Sequence, residues 1–306
     1  RRFMWRIGVD IGGTFTDVVT LDGQTAALKF DKVPTTPSHP EEGVLDGFDA
    51  SGAPMADIET FVHGTTLGLN ALLTRRGART GIVTTKGFRD VYLLGRTDRI
   101  PMYDFKYRKP ATLVQRQHIV EVDERLDFEG RVLTPFDEES AAAAARAIRD
   151  MGLDAVAVCF LHSYVNPDHE VRMAEILKAE APDVVVTISS DLSRQLREYE
   201  RTSTAVLDSY IKPIVRSYLD KLEGVIAERG FTGQFLMTRS GGGAMTASSA
   251  KEAPVNLILS GPAGGVLGAS WFAKAAGYPN LITIDMGGTS LDASLVVDGE
   301  PFTYFD

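Results

Sequence analysis

The chain has 306 residues, 44% of them hydrophobic and 24% charged, a globular composition that excludes a disordered tail, a collagen and a membrane channel. At roughly 100–200 residues per domain, this length predicts about two domains, each able to bury a core without a metal or disulfide staple. Lys and Arg number 32 against 41 Asp and Glu, a net charge of −9, which argues against nucleic acid as a main partner.

In chain order, the first element is a β-branched run that ends in Asp10-Ile11-Gly12-Gly13-Thr14 and resumes as the apolar run Val18-Val19-Thr20-Leu21 before a turn at Asp22-Gly23. That pattern predicts a β-hairpin with a glycine-rich tip. Next comes His63-Gly64-Thr65-Thr66, ahead of a helix beginning near Leu67. It reads either as a helix cap or as an anion site at a helix N-terminus. Arg75, Arg76 and Arg79 form a small basic cluster that reads as a solvated face.

Residues 137–151 read as a helix stopped by Gly152, and 154–161 as a buried strand carrying the single cysteine, Cys159. A lone cysteine in an apolar run is a structural thiol, and it implies a reduced, cytoplasmic setting. Asn166-Pro167 predicts a helix start with asparagine at the cap and proline at the first helical position, running to about Ala181. A strand at 184–188 follows. Residues 198–228 have helical periodicity that Pro213 is expected to kink or split. Within them Glu198 and Arg201 are spaced as an i,i+3 pair, either a solvated salt bridge or residues of a substrate cleft. A strand at 234–237 leads into the loop Ser240-Gly241-Gly242-Gly243, and 261–276 read as a helix rich in small residues. His162 and His169 complete no zinc-ligand pattern. No stretch approaches the ~18 uncharged apolar residues of a membrane span, and the N-terminus lacks a signal-peptide core, so neither membrane nor export is expected.

The last element repeats the first. Residues 281–292 align without gaps on 6–17, with Asp285-Met286-Gly287-Gly288-Thr289 in place of the first tip and Asp292 in place of Asp17. Adjacent glycines let backbone N–H groups approach a polyphosphate, and the threonine hydroxyl adds a donor. Two such tips across a cleft form a nucleotide clamp, with Asp10 and Asp285 holding Mg²⁺ through its water shell. A single copy could be no more than a tight turn with an Asx hydrogen bond. The duplication favours the clamp. After the second hairpin the chain stops at Phe305-Asp306 in an apparent third strand with no helix left to cover it, so an incomplete second lobe is expected. Strands alternating with helices predict an α/β protein, and we divide the sequence at residue 190, into 1–190 and 191–306.

The motifs Val9-Asp10-Ile11-Gly12-Gly13-Thr14 and Ile284-Asp285-Met286-Gly287-Gly288-Thr289 resemble the first and second phosphate motifs of the actin, hexokinase and heat-shock chaperone superfamily, and 260–269 resemble its first connecting helix. Within that superfamily the sequence is similar to the hydantoinase/oxoprolinase family, hydantoinase A subunit, which includes acetone and acetophenone carboxylase subunits. The resemblance rests on 12–17, His63-Gly64-Thr65-Thr66 with 70–73, 77–80, 84–90, 159–163, 197–203 and 260–265, and covers nearly the whole chain.

It implies an α/β, actin-like (ribonuclease H-like) ATPase fold with mixed sheets and glycine-rich phosphate hairpins. It also implies ATP-dependent opening of a cyclic amide, such as a hydantoin or 5-oxoproline, by phosphorylation of the amide oxygen. Asp10 and Asp285 would serve Mg²⁺ and catalysis. Gly12, Gly13, Thr14, Thr16, His63, Gly64, Thr65, Thr66, Gly287, Gly288 and Thr289 would contact ATP, and for His63-Gly64-Thr65-Thr66 the resemblance tips the choice from cap to phosphate or substrate contact. The implied partners are a small cyclic amide and a hydantoinase B-type subunit, in an oligomer. A ketone carboxylase is the main alternative, followed by a small-molecule kinase and a non-enzymatic nucleotide switch. Leu291 stands where the family commonly has threonine, an asparagine often seen in the 240–243 loop is replaced, and the superfamily's adenosine motif is not within these residues.

Overall fold

The structure is a computed structural model and describes residues 5–36, 39–96, 103–104, 106–286 and 291–303. In chain order, β1 (Trp5–Ile11), β2 (Phe15–Asp22) and β3 (Leu28–Pro34) form an antiparallel meander, followed by α1 (Pro40–Ser51), β4 (Ile58–Thr65) and α2 (Leu67–Leu73). Then come β5 (Thr80–Thr85), α3 (Val91–Leu94), β6 (Ile119–Val122), β7 (Arg125–Leu126), β8 (Val132–Thr134), α4 (Glu138–Asp150), β9 (Ala155–Cys159), α5 (Asp168–Glu180) and β10 (Val185–Ile188). The chain continues through α6 (Ser189–Leu192), α7 (Glu198–Glu228), β11 (Gln234–Thr238), β12 (Ala244–Thr246), α8 (Ala247–Glu252) and α9 (Ser260–Ala275), and ends in β13 (Leu281–Met286), β14 (Leu291–Val297) and β15 (Glu300–Pro301).

Two compact units result, one from residues 1–70 with 215–306 and one from 71–214. In the first, a mixed six-stranded sheet has the order β12-β11-β4-β1-β2-β3. Its β2 alternates strictly, with Thr16, Val18 and Thr20 buried and their neighbours exposed, the pattern of a strand with one packed face. Phe61 on β4 centres an aromatic core, stacked on Phe235 at 4.7 Å between centroids and meeting Phe48 edge-on at 4.9 Å. The second hairpin and β15 make a three-stranded antiparallel sheet in the same unit. Its apolar Ile282, Ile284, Leu291 and Leu295 are exposed, while Val296 is buried. The preceding helix α9 lies against all three of its strands, while the exposed apolar residues agree with the expected incomplete second lobe.

The second unit carries a four-stranded sheet, β10-β9-β5-β6, parallel throughout. Every residue of β9 is buried, as a parallel strand covered on both faces requires. One core joins α4 and α5 to the sheet through Ala141, Ala145, Ile148, Met173 and Leu177, and Asp137 caps α4 by accepting from the backbone N–H groups of Glu139 and Ser140. Two expectations need correction. Pro213 does not split α7, which continues through it; the proline removes one N–H donor, and the buried apolar contacts of Val206, Ile211, Val215 and Leu219 hold the helix on either side. The helix after Asn166 begins at Asp168 with Pro167 in the cap position, although the Asn166 side chain still accepts from the Asp168 N–H at 2.9 Å.

Candidate nucleotide site

The first hairpin closes at Ile11 and Thr16, and its tip is held from both sides. Gly12 N–H donates to the Phe15 carbonyl at 2.9 Å; Thr35 donates its hydroxyl to the Gly12 carbonyl at 3.1 Å and its N–H to the Thr14 carbonyl at 2.9 Å. Two tip carbonyls are thereby occupied, and Gly13 and Thr14 are exposed. A Cβ at Gly13 would meet nothing within 4 Å, so the backbone there is open to an incoming group. This is the local geometry from which an anion nest can be made.

Asp10 stands on β1 between the buried Val9 and Ile11, so strand alternation turns its side chain to the face opposite theirs. In the parallel register with β4 it lies beside Gly64. A Cβ on Gly64 would come within 2.6 Å of Asp10 Oδ1, and one on Gly261, in the first turn of α9, within 3.9 Å of the same oxygen. Gly64 therefore makes the room in which the carboxylate sits, whereas a side chain at Gly261 would only meet it in ordinary van der Waals contact. Thr66 donates its hydroxyl to the Ile11 carbonyl at 3.4 Å and accepts from Asn70 at 3.1 Å. Ser260 donates to the Thr65 carbonyl at 3.4 Å, pinning the start of α9 to the end of β4.

Loss of hydration, and then the negative charges of Asp17 and Asp285, push the Asp10 carboxyl above the ordinary carboxylate range. Asp285 occupies on β13 the position that Asp10 occupies on β1, paired across its hairpin with Asp292 as Asp10 is with Asp17. The structure thus brings the two repeated aspartates into one electrostatic field. Such an anionic site, with the Thr238 hydroxyl also beside Gly64, suits a hard divalent cation that keeps much of its water. Among the described residues no group of three or more His, Cys, Asp or Glu is placed to hold a metal.

Other expected site residues fall elsewhere. His63 is fully buried: its Nδ1–H donates to the Val9 carbonyl at 3.0 Å and its Nε2 accepts from the Tyr218 hydroxyl at 2.7 Å. Burial lowers its pKa to about 4, so the ring is neutral and both nitrogens are occupied. The expected phosphate contact by His63 is thus corrected to a structural role. Thr16 is also corrected: it is fully buried, with its hydroxyl 3.0 Å from that of Thr35. Thr65 is buried, its hydroxyl accepting from the Leu67 N–H at 3.2 Å, which is the helix-cap reading of that motif. Gly287, Gly288 and Thr289 lie outside the described residues.

In the second unit Arg201 is buried, with Glu198 3.7 Å away and its guanidinium donating to Ser189, Gln195 and Phe160, so the pair is no solvated surface bridge. Arg75, Arg76 and Arg79 are exposed, as a solvated face requires. His169 is paired with buried Glu124 at 2.7 Å. Sequence reading overlooked Thr238, whose hydroxyl donates to the His63 carbonyl at 3.4 Å and lies 3.5 Å from the Cβ position of Gly64. Its signal was a threonine at a strand end just before a glycine-rich loop.

Comparison with known families decides the kinship. The model of the hydantoinase/oxoprolinase N-terminal region matches residues 6–181 and that of hydantoinase/oxoprolinase matches 201–306. The chain belongs to the hydantoinase/oxoprolinase family. It is 36% identical to the acetophenone carboxylase gamma subunit of Aromatoleum aromaticum, over 97% of this chain and 43% of that one. Among solved structures it is similar to nucleotide-free acetone carboxylase (TM-score 0.89, 30% identity, 98% of this chain and 45% of that one). It is also similar to the ATP-dependent caprolactamase of Pseudomonas jessenii (TM-score 0.82, 34% identity, 95% and 43%). The chain spans less than half the length of these hydantoinase/oxoprolinase relatives. The α/β fold with mixed sheets and glycine-rich hairpins is theirs, and no helix among the described residues is long and apolar enough to cross a membrane.

Proposed function

We propose that this chain is the nucleotide-binding part of an enzyme that uses ATP to phosphorylate the oxygen of a cyclic amide, preparing the ring for hydrolysis. The observation that carries this reading is the placement of Asp10 and Asp285 at equivalent positions of two glycine-tipped hairpins, in one field, with Gly64 clearing space beside Asp10. The backbone N–H groups of the exposed Gly13 and Thr14 would bind phosphate oxygens, and Gly287, Gly288 and Thr289 would do so from the second tip. Asp10 and Asp285 would hold Mg²⁺, which when bound neutralises phosphate charge. Phosphoryl transfer asks a protein chiefly for such positioning and neutralisation. An amide oxygen carrying a phosphoryl group leaves a far better electrophile at the ring carbon, which water then attacks.

The fused or separate partner would be a hydantoinase B-type subunit, in a cytoplasmic oligomer. We take 1–190 and 191–306 as the two sequence regions, a division supported by the family matches to 6–181 and 201–306. A second reading, ATP-dependent carboxylation of a ketone, is favoured by the likeness to the acetophenone carboxylase subunit and to acetone carboxylase.

Phosphate release from Mg-ATP by the full protein with its partner separates the two. Stimulation by 5-oxoproline, a hydantoin or caprolactam without bicarbonate is the expected result. Stimulation only by acetone or acetophenone together with bicarbonate would replace the hydrolase by the carboxylase. Stimulation by neither would overturn both.

A further inference from the structure

His63 opens the motif His63-Gly64-Thr65-Thr66 yet is fully buried, which leaves its place one strand away from Asp10 to be explained. In the parallel register Val9 lies beside His63, Asp10 beside Gly64 and Ile11 beside Thr65. His63 Nδ1–H donates to the Val9 carbonyl at 3.0 Å, and the Thr66 hydroxyl, which accepts from Asn70, donates to the Ile11 carbonyl at 3.4 Å. The carbonyls on either side of Asp10 are thus each held by a side chain of one four-residue motif, and Gly64 within that motif leaves the room that the carboxylate fills.

That grip matters because the carboxylate is not held by bonds of its own. Among the described residues none donates a hydrogen bond to the Asp10 oxygens, and the charges that act on them, Asp17 and Asp285, repel. Its place is therefore set by the main chain of β1. A peptide group is planar, so fixing the direction of the Val9 carbonyl also fixes the N–H and Cα of Asp10. The Ile11 carbonyl fixes where the strand passes into the glycine tip. Ligand groups of a cation site need to be held to within about 0.5 Å of their working positions, and here two main-chain anchors supply that.

The imidazole suits this task. Only a ring with a proton on Nδ1 bonds the Val9 carbonyl, and the Tyr218 hydroxyl at 2.7 Å takes up the lone pair of Nε2. Burial lowers the ring's pKa to about 4 and pushes that of Tyr218 up, so at neutral pH both groups stay uncharged and in place.

We propose that His63 and Thr66 are positioning residues for Asp10, gripping the Val9 and Ile11 carbonyls and so holding the carboxylate in its place through the main chain. The inference rests on the reading of Asp10 as a cation ligand.

Two readouts on the full protein test it: ADP-dependent Mn²⁺ affinity, and the ¹³C carboxyl signal of Asp10 without ligand, assigned by its loss in Asp10→Asn. His63→Gln, whose amide takes the place of Nε2 and not of Nδ1, should weaken the ADP-dependent Mn²⁺ site about tenfold, the scale on which loss of a ligand-orienting group acts, and should move the Asp10 signal. His63→Asn, whose amide N–H takes the place of Nδ1–H, should keep both readouts near the parent's. Tyr218→Phe removes the ring's other bond; it should lower the thermal midpoint and change neither readout. Thr66→Val should move the Asp10 signal. Mn²⁺ affinity that falls alike in His63→Gln and Tyr218→Phe, following the loss of stability, would overturn the proposal, as would an Asp10 signal unmoved by both His63→Gln and Thr66→Val. A parent protein without an ADP-dependent Mn²⁺ site would overturn the nucleotide reading, while the ligand-free signal would still decide whether His63 and Thr66 set the carboxylate's place.

Discussion

Replacing Asp10 with asparagine is expected to lower Mg-dependent ATP turnover by the full protein about 100- to 1,000-fold, the scale on which removal of one preorganised charge-stabilising group acts. The same substitution should raise the thermal midpoint of the ligand-free protein. Asp10 holds its proton more tightly folded than unfolded, because lost hydration and the charges of Asp17 and Asp285 disfavour the carboxylate. The folded state therefore binds more protons in the window between the ordinary carboxylate pKa and the raised one. Stability falls as pH rises through that window, and the loss is complete above it. Asparagine keeps the shape, removes the repulsion and abolishes this decline. A variant that turns over normally, or that melts lower than the parent at neutral pH, would contradict the assignment. A functional carboxylate that weakens the empty fold is the usual compromise of a binding site.

His63→Leu should instead damage the fold, and by more. The imidazole bonds the Val9 carbonyl and the Tyr218 hydroxyl at once, and leucine removes both bonds and leaves the buried Tyr218 hydroxyl beside the aromatic core of Phe61 and Phe235. An orphaned buried polar group costs about 1–3 kcal/mol. The pH dependence has a definite sign. The folded ring titrates at about 4 against an ordinary 6.5, so below 6.5 the unfolded chain takes up a proton that the folded chain refuses. Stability is whole above pH 6.5 and falls as pH drops toward 4, by about 3 kcal/mol at about 1.4 kcal/mol per pKa unit. Hydrogen exchange of the β4 amides reads this directly. The parent protein should lose protection between pH 6.5 and 4; His63→Leu should start lower at pH 8 and lose much less on acidification. Equal protection at pH 8 in the two proteins would rule out the structural role.

These two residues mark the limit of what the chain reveals by itself. The hairpins, the caps and the buried strand at 155–159 are written in local pattern: alternation, glycine tips, Asp137 before an alanine run. Asp10 was legible for the same reason, since the aspartate and its glycines recur together at 285–288. The fate of His63 was not, because Tyr218 lies 155 residues away and nothing near position 63 announces it. Thr16 was legible in part: it belongs with Val18 and Thr20 on the alternating buried face of β2, a signal that the glycine motif beside it overrode. The split that Pro213 suggests does not occur, because a local rule gives way to the packing of a 31-residue helix.

That the repeated aspartates hold a divalent cation together with a nucleotide is the centre of this account, and Mn²⁺ in place of Mg²⁺ makes it measurable. Free Mn²⁺ would be followed by its paramagnetic resonance signal as the full protein is titrated with and without ADP. The account predicts an ADP-dependent Mn²⁺ site that is weakened about tenfold or more in Asp10→Asn and likewise in Asp285→Asn, the order expected for losing one charged ligand. Unchanged ADP-dependent Mn²⁺ affinity in both variants would contradict it.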